Sequence, residues 1–185
     1  MVDIELVGTF LIAGIFILSI MTMNFDLLET SAFNTMQTNT QENITEVASI
    51  LEYDLRKAGY RVPAGTTAIL AASDSSIQFL SDIDQNGFLD TINYRLSTTA
   101  EASSTDNPND RFLYRSVNGT ENDVGAGLTD LSFAYYDTTM SVTANLADIR
   151  VIELSFTTQS LFGYNEEYSE ATWFSRLMPK NLEEF

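Results

Sequence analysis

Apolar residues crowd one end of this chain and alternate thinly along the rest. Residues Leu6–Met23 form an uninterrupted run with no charge and no proline, dominated by Leu, Ile, Phe and Met. As a helix rising about 1.5 Å per residue, the run reaches about 27 Å, close to the hydrocarbon thickness of a bilayer. A secretory signal peptide fits it less well. No Lys or Arg precedes the run, and no small-x-small cleavage site follows it.

From Phe25 to Ala58 the pattern turns amphipathic. Ile44, Val47, Leu51, Leu55 and Ala58 recur at three- and four-residue spacing, with Ala48 beside them, which predicts a core-facing stripe. Glu52 and Arg56 are spaced for an i,i+4 ion pair, and Gly59 followed by Pro63 is a stop signal. The two halves read as one helix of roughly 58 residues, far longer than a compact domain needs. Its hydrophobic half covers residues 1–24 and its amphipathic half 25–58. Between them, Thr30–Thr45 is rich in Thr, Asn and Gln and reads as a solvated or interface face.

After Gly59 the texture becomes short alternating segments broken by turn residues. Strands are predicted at Ala68–Ala72, Ile77–Ser81, Thr91–Ser97, Arg111–Ser116, Leu128–Tyr136, Ile149–Thr158 and Ala171–Leu177. Thr98–Asp110 reads as a loop and Asn118-Gly119 as a tight turn. Tyr135, Tyr136 and Trp173 read as core or sheet residues. The expected architecture is α+β: a long N-terminal helix packed through Val47–Ala58 on an antiparallel sheet domain over residues 59–185.

Charge and composition narrow the chemistry. Of 185 residues 26 are acidic and 9 basic, a net charge of −17, and the first basic residue is Arg56. Such a surface repels phosphates, so direct nucleic-acid binding is not expected. Cysteine and histidine are absent from the sequence. Disulfides, thiol catalysis and a Ser–His–Asp triad are therefore excluded, and no spacing singles out a catalytic carboxylate pair. Glu166-Glu167 and Glu183-Glu184 read as solvated acidic ends.

Asp3 and Glu5 stand just before the apolar run. A carboxylate is favoured at a helix N-terminus, but beside a membrane span it is costly without a partner. The α-amino group of another copy, shifted axially by a few residues, is one such partner.

The start Met1-Val2-Asp3-Ile4-Glu5-Leu6-Val7, followed by the apolar run with Gly14, resembles the mature N-terminus of type IV pilins and pseudopilins. Leu51-Glu52-Tyr53-Asp54-Leu55-Arg56-Lys57-Ala58-Gly59-Tyr60 is similar to the helix end of W-type minor pilins and J-type minor pseudopilins. Asp148–Leu154 resembles their late strand, and Ser175–Leu182 their closing segment, where Lys180 replaces the usual arginine. The resemblance implies a pilin fold and a chain already cut by prepilin peptidase, with Met1 as the N-methylated residue. It further implies residence in the inner membrane, extraction by a pilus assembly machinery, and homopolymerisation into a filament at the cell surface. Glu5 matches the family's fifth-position glutamate and would pair with a neighbour's N-terminus. The family's proline near the end of the run is missing, so Gly14 becomes the expected point of local helix melting. Motility, adhesion, DNA uptake and secretion all suit such a subunit. A minor pseudopilin priming a secretion pseudopilus is one alternative reading. A monomeric membrane-tethered binding domain, with or without calcium, is another.

Asp82-Ile83-Asp84-Gln85-Asn86-Gly87-Phe88-Leu89-Asp90 places oxygen donors at positions one, three, five and nine, with glycine at six. That is the first part of an EF-hand-like Ca²⁺ loop, with Asp82, Asp84, Asn86 and Asp90 as ligands. The twelfth position is Asn93 rather than a bidentate Glu. A hairpin turn built on Asn86-Gly87 is an equal reading of the same residues. Asn43-Ile44-Thr45 and Asn118-Gly119-Thr120 match glycosylation sequons, which also arise by chance.

Overall fold

The computed structural model describes residues 4–164 and 167–182. Helix α1 spans Ile4–Arg56, about 80 Å at 1.5 Å per residue, without interruption at the change of composition near residue 24. It ends slightly before Ala58, because the last turn tightens. Lys57 and Ala58 N–H donate to Asp54 and Leu55 carbonyls three residues back, and Gly59 N–H donates to Leu80 O in the sheet at 2.9 Å.

Seven strands follow: β1 Ile69–Ala72, β2 Ser76–Ser81, β3 Asp90–Leu96, β4 Arg111–Val117, β5 Thr120–Tyr136, β6 Val151–Gln159 and β7 Glu170–Leu177. They lie in one antiparallel sheet in chain order. The α+β arrangement expected from the pattern is therefore present. Alternation explains the buried face: Ile77 and Phe79 of β2, Ile92 and Tyr94 of β3, and Ile152, Leu154 and Phe156 of β6 are all buried at period two. Against them lie Ile44, Val47, Ala48, Leu51 and Leu55 of α1, also buried. Tyr135 is buried, and Trp173 is partly buried against the same core.

Two expectations need correcting. Strand β5 starts at Thr120, not Leu128. A tight hairpin on Asn118 (φ 53°) and Gly119 (φ 86°) pairs Val117 with Thr120 and carries the ladder on through Glu121 and Asn122. The side chains there are exposed, so no alternation marked the strand. The β2–β3 connection, expected as a hairpin turn built on Asn86-Gly87, does contain them but is longer than a tight turn. Pairing closes at Ser81↔Asp90, and residues 82–89 form a loop with positive φ at Gln85 and Gly87.

Strand β5 runs close under the helix. A Cβ on Gly125 would lie 2.5 Å from Val47 Cγ2, so any side chain at this crossing would force Val47 or the strand to shift. Asp54 is buried at the same interface. Tyr94 O–H of β3 donates to its Oδ2 at 2.7 Å, and Arg115 Nε of β4 donates to the same oxygen at 2.6 Å. Asp54 lies three residues from Leu51 and four from Ala58, on the core stripe. It was not singled out as inward-facing in the sequence, and its partners on β3 and β4 were not legible.

Candidate functional site

Two features stand out. The first is the N-terminal half of α1. Every large apolar side chain from Leu6 to Met23 is exposed, Phe10 to 70%. Polar residues within and just beyond this stretch turn their donors back into the helix. Thr9 Oγ1 donates to Glu5 O at 2.8 Å, Thr22 Oγ1 to Ser19 O at 2.9 Å and Asn24 Nδ2 to Ile20 O at 2.8 Å. Such back-bonding hides polar groups where water is absent. The helix is long and apolar enough to cross a membrane.

Glu5 lies in the first described turn with its side chain exposed. Met1 and Asp3 lie outside the described residues, so the expected pairing of Glu5 with an N-terminus has no counterpart here. Gly14 sits within regular helix, and no side chain from elsewhere approaches it. Of the acidic ends, Glu167 is exposed, whereas Glu166, Glu183 and Glu184 lie outside the described residues.

The second feature is the β2–β3 loop. Carboxylate oxygens from Asp82, Asp84 and Asp90 all lie within 4.8 Å of one another. Asp82 begins the loop and is fully buried. Its Oδ2 accepts from Arg61 Nη1 at 2.7 Å and from Gly87 N–H at 3.0 Å, whereas its Oδ1 is buried with no hydrogen-bond partner. Burial alone would raise the Asp82 carboxyl. The Arg61 guanidinium and the Gly87 N–H outweigh it and hold the group below the ordinary carboxylate range.

Asp90 is also buried. It accepts from Ile83 N–H at 3.2 Å and from Asn118 Nδ2 at 2.7 Å. Asp84 is exposed and accepts from Asn86 N–H at 3.1 Å and Asn86 Nδ2 at 2.8 Å, while Asn86 Oδ1 accepts from Phe88 N–H at 2.8 Å. Of the four expected ligands, the three aspartates are thus brought together, and Asn86 acts as a local turn former. Asn93 lies within β3, paired with Gln78 and Ser116.

This loop is tied to the end of α1. Asp82 N–H donates to Tyr60 O at 3.1 Å, Lys57 Nζ donates to Ile83 O at 3.1 Å, and Ser81 Oγ donates to Lys57 O at 2.8 Å. Arg61, which clamps Asp82, holds a left-handed φ of 59° to do so. The role of Arg61 was missed in the sequence; the only signal was a lone cation shortly after the helix stop.

The two sequon asparagines both have their amide nitrogens engaged. Asn118 Nδ2 is bound to Asp90, as above. Asn43 Nδ2 donates to Ala126 O of β5 at 2.7 Å. Comparison with protein-family models, with curated proteins and with solved structures finds no match for this chain.

Proposed function

We propose that this chain is a structural subunit of a type IV pilus-like extracellular filament, with the pilin fold its sequence resembles. One observation carries the reading. A single continuous helix packs its second half on the sheet and leaves the apolar first half without a partner among the described residues. Exposed apolar surface on this scale needs lipid or other copies of itself. In this reading the subunit waits in the inner membrane with Leu6–Met23 in lipid. An assembly machinery then draws it out, and the apolar helices bundle as the filament core.

Glu5 pairs with the N-terminal amine of a neighbouring copy, so that both charges are neutralised in a dry environment and the axial stagger is set. The sheet domains face solvent. The role is structural rather than catalytic, in keeping with a sequence that holds neither histidine nor cysteine. Its strongly acidic surface argues against direct nucleic-acid binding.

Glu5→Ala tests the reading. Negative-stain microscopy of material sheared from cells should show filaments containing the unaltered chain and none with the variant, which still fractionates with membranes as a folded monomer. Unchanged filaments would reject the register role. Absence of this chain from any filament, with normal membrane location, would favour the tethered monomer. Its restriction to short stubs would favour a priming pseudopilin.

A further inference from the structure

We propose that Asp82, Asp84 and Asp90 hold a calcium ion where the β2–β3 loop meets the end of α1. The inference is independent of filament assembly. Two observations point to it. Three carboxylates converge to within 4.8 Å of one another, although like charges at that distance repel. One of them, Asp82, is fully buried and carries an oxygen, Oδ1, with no hydrogen-bond partner. A buried carboxylate oxygen without a partner is costly, and a cation is the ligand that satisfies it.

Arg61 does not remove the need for an ion. It takes Oδ2 of Asp82 from a half-exposed side chain and leaves Oδ1 free. One guanidinium beside three carboxylates still leaves the cluster net negative.

The donor set selects the ion. It is all oxygen, which excludes metals that require imidazole or thiolate. Calcium binds oxygens at about 2.3–2.6 Å, so three carboxylate oxygens within 4.8 Å of one another can share one ion. Magnesium, at about 2.1 Å, demands a near-ideal octahedron and gives up its water reluctantly, so a loop site of carboxylates and main-chain carbonyls favours calcium. Calcium takes six to eight oxygens, so water and main-chain carbonyls would complete the shell. Because the loop is already hydrogen-bonded to Lys57, Tyr60 and Arg61, an ion here would fasten the helix end to the sheet. Its effect is rigidity, not catalysis.

Calcium chloride titrated into the full-length chain in detergent, after EDTA treatment, tests this by calorimetry and thermal unfolding. Saturable binding is expected. At free calcium about 100-fold above the Kd, Tm should rise by about 5–10 °C. Magnesium chloride should give less than half of that, and EDTA should reverse it. Asp84 is exposed, so Asp84→Asn should fold as the unaltered chain does without calcium and lose most of the rise. Asp130→Asn, an exposed carboxylate on β5, should keep it. The proposal fails if calcium produces no rise. It also fails if magnesium and calcium act equally in all three proteins, because that is general screening of a chain of net charge −17.

Discussion

The two halves of α1 share one backbone and one helical geometry, yet their side chains meet opposite conditions. From Ile44 to Leu55 the apolar residues follow a stripe, and that stripe is buried on β5, β6 and β7. From Leu6 to Met23 the apolar residues occupy every side of the helix, and all are exposed. A stripe is what one sheet can cover; an all-round apolar surface is what a bilayer or a ring of similar helices can cover. The contrast teaches that helix formation and helix burial are separate questions. The Thr30–Thr45 stretch is where the answer changes, and it does so without a break in the backbone.

The strongest way to break this contrast is a matched pair of truncations. Leu51 is fully buried against the sheet, so Leu51→Ala should cost about 2–5 kcal/mol through lost transfer energy and the remaining cavity. Phe16 is exposed on the other half, and Phe16→Ala should change domain stability by no more than about 0.5 kcal/mol. Urea unfolding of the detergent-solubilised chain, followed through Trp173 fluorescence, measures both. A large loss from Phe16→Ala would mean that the first half packs on its own chain after all.

A smaller effect sharpens the same contrast on the packed side. Burial and the adjoining Asp54 carboxylate push the Tyr94 hydroxyl well above the ordinary tyrosine range, and burial does the same to Tyr135. Because the folded-state pKa is raised, the stabilising contribution is complete below the unfolded value near pH 10. It is lost as pH rises above that value, where the unfolded chain gives up the proton first. Stability should fall above about pH 10 by about 1.4 kcal/mol per pH unit for each such tyrosine. Tyr94→Phe should flatten that decline by one proton's share. An unchanged slope in Tyr94→Phe would undo the argument.

The parts of the fold that were legible in the sequence are those governed by periodicity. Every strand that buries one face was visible in its alternation, and so were the apolar members of the core stripe of α1, but not its buried polar members Thr40 and Asp54. The first residues of β5 were not, because Thr120–Asp123 are exposed and held only by pairing with β4. The Asp54–Tyr94–Arg115 cluster was invisible for a different reason. Its members come from three elements, and nothing local says that a phenol and a guanidinium will meet that carboxylate. The acidic loop falls between these cases. Spacing identified the three aspartates that converge, but not that Asp82 is buried or that Arg61 is its clamp. At the exposed half of α1 the sequence showed an apolar helix and could not show what covers it.

A smaller loss than that of Leu51→Ala is expected on the border between the halves. Asn43 stands one residue before the first buried position of the Ile44–Leu55 stripe, and its Nδ2 donates to Ala126 O of β5 at 2.7 Å. It is a sequon residue, so the same nitrogen would carry a glycan. An N-linked sugar leaves that nitrogen one hydrogen and adds bulk where α1 meets β5, so attachment there competes with docking. Asn43→Ala should cost about 1 kcal/mol, the usual net worth of one hydrogen bond, with a partly buried carbonyl left unpaired. Asn39→Ala, at an exposed position one turn earlier, should cost less than half of that. Intact-mass spectrometry of the unaltered chain should show Asn43 unmodified. Occupancy there in a chain of full stability would mean that the packed half of α1 begins later than Ile44, and the border would have to be redrawn nearer Val47.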